Sequence, residues 1–402
     1  MSQLISTVIK LRRTKSVIRN FNFLRPAPQN SPRHQLTHST RMAPIKVAVL
    51  DDYHNISSEY LAKLPSSAFE ISYFPSTLPS YAHPSTSTSS KAELVARLAP
   101  FEIISTIRER TPFPGALLEQ LPNLKLLQTT GTRNLAIDLD AARRLGIAVV
   151  GTSFRGKPAD APPGPDSTTQ HTLALILALA RNIPADDLSV KTGAWQSTFA
   201  LPLTGRTVGI VGLGRLGIAV ASILSSAFGM RVVTWSSSLT QEVADEKAAA
   251  AGLPVESAWG KTFEVVSKEE LFRRADLVSV HYVLSERSRG VVGRAELALL
   301  KPSALLVNTS RGPLVDQDAL LEVLKEGKIG GAALDVFELE PLPKDSEWRS
   351  EKWGKEGRSR VVLTPHMGYV EEGTLRPWAE EAVRNIEKWG KGEGGELTPL
   401  SG

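Results

Sequence analysis

The stretch TVGIVGLGRLGIAVASIL, residues 207–224, runs from a β-branched apolar segment through three glycines into an Ala/Ile/Leu segment with helical spacing. Gly212, Gly214 and Gly217 stand as G-x-G-x-x-G. Alone, that pattern is weak. Here a strand precedes it and a helix follows it, and MRVVTW (230–235) arrives where a strand–helix–strand unit needs its second strand. In that setting Gly212 makes the tight turn, Gly214 lets the backbone approach a pyrophosphate, and Gly217 lets the helix pack on the strand. The helix start offers free N–H groups and partial positive charge to the phosphates. Arg215 adds a cation, with Leu216 beside it. These residues predict a dinucleotide-binding unit.

A fold that prefers NAD usually ends its second strand with an acid that bonds the ribose hydroxyls. This strand ends in Ser236, Ser237 and Ser238. Serines bond a ribose without repelling a 2′-phosphate, and no Arg or Lys follows immediately to attract one. The sequence leaves NAD versus NADP open.

Outward from the glycine loop, apolar runs alternate with helical patterns. On the C-terminal side strands fit at 207–212, 231–236, 277–281, 304–310, 329–336 and 361–366. Helices fit near 215–228, 240–251, 268–275, 316–326 and 371–389. On the N-terminal side KVAVLDD (46–52), FEIISTI (101–107) and LKLLQTTG (124–131) read as strands, with helical spacing in KAELVARLA and GALLEQL between them. Such alternation predicts parallel sheets with helices on both faces. TTQHTLALILALARNI (168–183) is apolar nearly all round and predicts a buried helix. PSTLPSYAHPSTSTSS (75–90) and 343–360, which is dense in both charge signs, read as surface loops, and the Pro-rich 156–167 as a hinge.

The chain has 402 residues and no cysteine, which excludes disulfides, thiolate nucleophiles and cysteine metal sites. Seven histidines do not cluster like metal ligands; His34 and His38 have i,i+4 spacing but lie in a polar leader. No apolar run approaches the length of a membrane span. Residues 1–42 hold six Arg and two Lys and no acid, so they contribute +8 to the net +5 and leave 5 − 8 = −3 for the rest. The body is therefore no basic nucleic-acid binder. The leader is Arg- and Ser/Thr-rich with an apolar face at Leu4, Val8 and Leu11. Those are marks of a mitochondrial matrix presequence. The competing expectation is a solvated tail, or a cytoplasmic protein that starts at Met42. Fusing residues 1–42 to a fluorescent reporter separates the two.

ALLVNTSRGPLV (304–315) is an apolar strand that ends in a permanent cation, Arg311. Such an arginine is either a member of a structural ion pair or a receptor for an anionic ligand.

Six ordered stretches together resemble the D-isomer-specific 2-hydroxyacid dehydrogenases: TTGTRNLAIDLDAA (129–142), GAWQ (193–196), LTGRTVGIVGLGRLG (203–217), LLVNTSRGPLVD (305–316), AALDVFELEPLP (332–343) and LTPHMGY (363–369). The likeness runs from about residue 45 to about 390 and is to the glyoxylate/hydroxypyruvate reductase-like members; VAVLDDY, RERTPFP and the Trp-Ser strand end look like a fungal, plant and bacterial subgroup whose substrates are mostly undefined. It implies an α/β fold of two doubly wound parallel-sheet domains, with a Rossmann NAD(P)-binding domain (166–365) inserted in a flavodoxin-like substrate domain (43–165 and 366–402). It also implies a homodimer and a small 2-keto or D-2-hydroxy acid as substrate, with no nucleic-acid or membrane partner. The 36 residues after His366 would leave no room for the regulatory domain of some serine-pathway members. The same fold also serves a cofactor-sensing corepressor, which is the rival reading.

The resemblance implies a catalytic Arg–Glu–His set. Arg311 then takes the substrate carboxylate, for which its planar fork is suited. His366 is the proton donor and Glu340 its partner. Glu338 lies two residues from Glu340 and would face the same side of an extended segment, so spacing alone cannot reject it. Thr130 and Gly131 offer backbone N–H groups to the substrate, and Arg110 lines the same pocket by resemblance. Thr309, Asp335 and Gly368 fall beside the cofactor; Asp335 either bonds its carboxamide or caps a loop. His281 is read as structural or near the adenine. Gln170 stands where the family pattern has Glu.

Overall fold

The computed structural model describes residues 43–153, 164–196 and 198–400. The leader (1–42) and most of the Pro-rich stretch read as a hinge (156–163 of it) lie outside the described residues.

Five parallel strands, β1 (Ile45–Leu50), β2 (Phe69–Phe74), β3 (Ile103–Thr106), β4 (Leu126–Thr129) and β5 (Ala148–Val150), form the first sheet in the order β2-β1-β3-β4-β5. That is the flavodoxin-like order, whose direction reverses between β1 and β3 and leaves a crevice at the carboxyl ends of those strands. Both faces are buried by simple alternation. Ala48, Leu50 and Ile104 enter one core, and Val47, Val49 and Ile103 the other.

The second sheet begins with β6 (Thr207–Val211) and β7 (Arg231–Trp235). A small antiparallel pair, β8 (Glu256–Ser257) and β9 (Gly260–Lys261), precedes the edge strand β10 (Glu264–Val265). Then come β11 (Leu277–Val280), β12 (Leu305–Asn308), β13 (Gly331–Leu334) and β14 (Arg360–Leu363). The order is β10-β7-β6-β11-β12-β13-β14, all parallel. Counted from β6 this is the dinucleotide-binding order 3-2-1-4-5-6 with a seventh strand added. The near-continuous apolar strands follow from burial on both faces: Val278, Val280 and Leu306 face one core, Leu277, Leu305 and Val307 the other.

The helix Ser167–Ala180 starts on an Asp166 side-chain cap and packs across β12, β13 and β14. The helix Glu372–Gly390 returns to the first sheet. Its Val383 and Ile386 join the core with Val47 and Val49, and Asn385 donates to Gln128 Oε1 (3.0 Å) and the Gly151 carbonyl (2.9 Å).

Three expectations need correction. The edge strand β2 and the three-residue β5 were not anticipated, nor was the helix Ile183–Lys191, which buries none of its residues. The loop read as 75–90 ends earlier, because Ser87 caps a helix that begins at Thr88. The segment 343–360 is not wholly surface. Trp348 is buried and packs on Phe337 and Trp353, at 6.4 and 6.2 Å between ring centroids.

Among the described residues no helix is long and apolar enough to cross a membrane, and no group of three or more His, Cys, Asp or Glu is placed to hold a metal ion.

Candidate active site

The register of the second sheet sets Asn308, Leu334 and Leu363 level at the carboxyl ends of β12, β13 and β14. Arg311 and His366 each lie three residues beyond that row, and Glu340 follows β13. Strand order thus brings together residues that are far apart in sequence. Gly312 is what allows the Arg311 turn to lie so close to the segment after β13. A Cβ there would stand 2.0 Å from the Phe337 carbonyl carbon, so no larger residue fits.

His366 Nδ1 lies 2.6 Å from Glu340 Oε2, while Glu340 Oε1 accepts from the Phe337 amide at 2.8 Å. Glu338 is exposed, so geometry picks the acid that spacing left open. An ionised carboxylate only accepts, so the imidazole carries its hydrogen on Nδ1 and turns Nε2 toward other partners. His366 has φ 55°, a left-handed conformation uncommon for a residue with a Cβ. Asp335 holds that turn. Its Oδ1 accepts from Met367 N (2.7 Å), Thr364 Oγ1 (2.6 Å) and His171 Nε2 (3.1 Å), and its Oδ2 from Gly368 N (3.0 Å). Burial would raise its pKa, but these hydrogen bonds outweigh burial and hold it low. Asp335 and Gly368 both line the cleft, yet the contacts that the structure gives this carboxylate are those of a turn clamp.

Arg311 is a third exposed to the same cleft. It donates to the Ser310 carbonyl at 2.8 Å and to Glu109 Oε1 at 2.8 Å. Glu109 comes from the loop after β3, so this contact joins the two sheets. Arg108 reaches the same oxygen at 3.3 Å. Burial opposes the Glu109 charge, but Arg108 and Arg311 outweigh it and bring its pKa down to about 2. Arg110 is placed differently from the expectation. It donates to the Asp51 carbonyl at 2.7 Å, stacks on Tyr53, and lines a small neighbouring recess with Thr130 rather than the large cleft. Arg108 lines the large cleft in its stead, with its guanidinium over Gly131.

At the other end of the cleft, Gly214 starts the helix Arg215–Ser226, and a Cβ built on it meets nothing within 4 Å. On Gly217 a Cβ would come 2.1 Å from the Gly212 carbonyl oxygen. The first leaves room for a ligand against the backbone; the second shows why the helix can pack so tightly. Arg215 and Leu216 line the cleft, and Arg215 pairs closely with Asp166. Thr309 shares a hydrogen bond with Thr172 (2.8 Å). Ser237, after β7, accepts from the Tyr282 hydroxyl at 2.9 Å, and Tyr282 stacks on Trp235. His281 is buried beside Ser279 (2.8 Å) at the wall of the cleft, and burial pushes its pKa down to about 4, so its ring is neutral. Gln170 reaches back to the Pro165 carbonyl, and its neighbour His171 takes Asp335.

Sequence reasoning passed over Glu109, His171, Tyr282 and Tyr369. Glu109 and Tyr369 stood inside quoted motifs, RERT and LTPHMGY, but an acid between two arginines and a tyrosine after a glycine carry no distinctive spacing.

Residues 173–368 match the family described as D-isomer specific 2-hydroxyacid dehydrogenase, NAD binding domain. A glyoxylate reductase of Thermococcus litoralis is 34% identical over 288 residues, which is 69% of this chain and 77% of that protein. The chain belongs to the D-isomer-specific 2-hydroxyacid dehydrogenase family. Among solved structures, a phosphoglycerate oxidoreductase from Vibrio cholerae superposes with a TM-score of 0.69 at 31% identity, covering 87% of this chain and 99% of that one. A D-lactate dehydrogenase from Aquifex aeolicus, solved with NAD and lactic acid, gives 0.61 at 25% identity over 86% and 96% of the two chains. As a D-2-hydroxyacid dehydrogenase the chain is an oxidoreductase with an NAD-binding Rossmann domain. The glycine loop fits that group, because Gly214 is exposed at a helix start and open space lies where its Cβ would stand.

Proposed function

We propose that this dehydrogenase interconverts a small 2-keto acid and the corresponding D-2-hydroxy acid, with Arg311 as carboxylate receptor and His366–Glu340 as proton relay. The 2.6 Å contact between His366 and Glu340, beside Arg311 in one cleft, carries this reading. When bound, the nicotinamide cofactor supplies or takes up the hydride. Arg311 retains guanidinium N–H groups beyond the two that it gives to Ser310 and Glu109, and these receive a carboxylate. His366 releases the proton from Nε2 to the substrate oxygen in reduction and recovers it there in oxidation. Glu340 keeps Nδ1 protonated in both states and stabilises the imidazolium. Gly214, Arg215, Leu216 and Gly217 hold the pyrophosphate end, with Ser236 and Ser237 toward the ribose.

Both NADH and NADPH are expected to bind, with a preference on the order of tenfold, or about 1.4 kcal/mol. A serine does not repel a 2′-phosphate and offers it no charge-assisted partner. Ser236→Asp should move the preference toward NADH and Ser237→Arg toward NADPH. Assaying glyoxylate, hydroxypyruvate and pyruvate with each reduced cofactor tests both claims. No turnover of any 2-keto acid would leave the corepressor reading. A cofactor preference above a thousandfold would place the choice in another residue.

The homodimer belongs to the same proposal. The helix Ile183–Lys191 presents Ile183, Leu188 and Val190, each more than half exposed, and Trp195 and Phe199 follow at 73% and 95%. An exposed apolar cluster of that kind marks an interaction surface. Leu188→Glu combined with Phe199→Glu should convert a dimer to a monomer in sedimentation. A wild type that sediments as a monomer would end this part of the proposal.

A further inference from the structure

Two buried polar atoms of the cleft have no hydrogen-bond partner among the described residues: Glu109 Oε2 and the Tyr369 hydroxyl. Both residues line the cleft that holds Arg311 and His366. An unpaired buried carboxylate oxygen is costly and calls for a donor, which a bound ligand can bring. Arg311 and Arg108 already occupy Glu109 Oε1, so a purely structural ion pair accounts for only half of this carboxylate. The Tyr369 side chain is fixed by its ring contacts, edge-on to His366 at 5.5 Å and against Trp378 at 5.7 Å. Its hydroxyl keeps its proton at any working pH, because burial pushes its pKa up to about 12. One atom of the pair can only accept, and the other can donate.

We infer that Glu109 and Tyr369 select a 2-keto acid whose third carbon bears a hydroxyl, which donates to Glu109 Oε2 and accepts from the Tyr369 hydroxyl. This deepens the proposed function and rests on Arg311 holding the substrate carboxylate. Three properties follow from the chemistry. A methyl in place of hydroxymethyl leaves both atoms unpaired, which a hydrogen-bonding site penalises far more than a lost methylene. An aldehyde hydrogen, as in glyoxylate, fills neither position. A second anionic group in place of the hydroxyl, such as a carboxylate or a phosphate ester, meets the ionised Glu109 and is repelled.

The test measures kcat/KM for hydroxypyruvate and pyruvate, which differ only in that hydroxyl, in wild type, Glu109→Gln and Tyr369→Phe. The wild type is expected to favour hydroxypyruvate by roughly a hundredfold or more. The hydroxypyruvate-to-pyruvate ratio should fall roughly tenfold to a hundredfold in Glu109→Gln, which loses a charged acceptor, and about tenfold in Tyr369→Phe. Glutamine keeps an acceptor for Arg311, so a role confined to that ion pair would lower both substrates together and leave the ratio alone. An unchanged ratio in both variants overturns the inference while leaving the proposed reaction standing. Failure of the wild type to reduce either acid removes the inference, and removes the proposed reaction with it only if glyoxylate is not reduced either.

Discussion

His366→Ala should lower turnover by roughly 10²–10⁴-fold, the usual share of a positioned general acid. The loss should fall on kcat, because the ring donates its proton as charge develops on the substrate oxygen. Cofactor affinity, measured separately by fluorescence titration, should hardly move. Glu340→Gln gives the complementary signature. Its amide can still contact Nδ1 but no longer stabilises the imidazolium by charge, so the pH range of fast reduction should move toward acid. An unaltered profile in Glu340→Gln, or a kcat within a few-fold of wild type in His366→Ala, would remove the relay.

Arg311→Gln should reduce kcat/KM by roughly 10²–10⁴-fold, equivalent to about 3–5 kcal/mol. Two effects add here. The substrate carboxylate loses its fork, and Glu109 keeps only Arg108, at 3.3 Å. The second effect can be separated by adding Glu109→Gln, which discharges the stranded acid. If the double variant recovers thermal stability but not keto-acid binding, both roles of Arg311 are real. Arg311→Lys should remain poor, because a point charge does not reproduce the bidentate geometry. A kcat/KM unchanged in Arg311→Gln would return the residue to the purely structural role that the sequence left open.

The second sheet was legible because its strands are buried on both faces and therefore read as short apolar runs, each closed by a glycine or a polar turn. The proposed catalytic set came from the family resemblance; the structure places two of its members, Arg311 and His366, each three residues past the ends of β12 and β14. β2 was not legible because an edge strand is half exposed; FEISYF mixes charge and aromatic residues and sheds the apolar signature. The helix Ile183–Lys191 was hidden for the opposite reason, as it buries nothing and so shows no amphipathic period. Glu109 was beyond reach for a third reason. Its partner Arg311 lies 202 residues away, on the other sheet, and no local pattern encodes that meeting. Arg110 was named by resemblance alone; both it and Arg108 follow β3, and the left-handed turn at Arg108, with φ 52°, accompanies the placing of the Arg108 guanidinium, rather than that of Arg110, along the large cleft.

The parallel order of β13 and β14 has a practical consequence for protein engineering. Glu340 and His366 touch because two neighbouring strands end side by side, whatever the length of chain between them. The connection from Pro341 to Ser359 can therefore grow, since doubling a flexible loop costs only about 0.6 kcal/mol in closure entropy. Trp348 fixes the near half of that connection against Phe337, whereas Lys355, Glu356 and Gly357 are exposed. An affinity tag or a fluorescent peptide spliced between Glu356 and Gly357 would enter the chain between the two groups of the proposed relay in sequence, at an exposed turn.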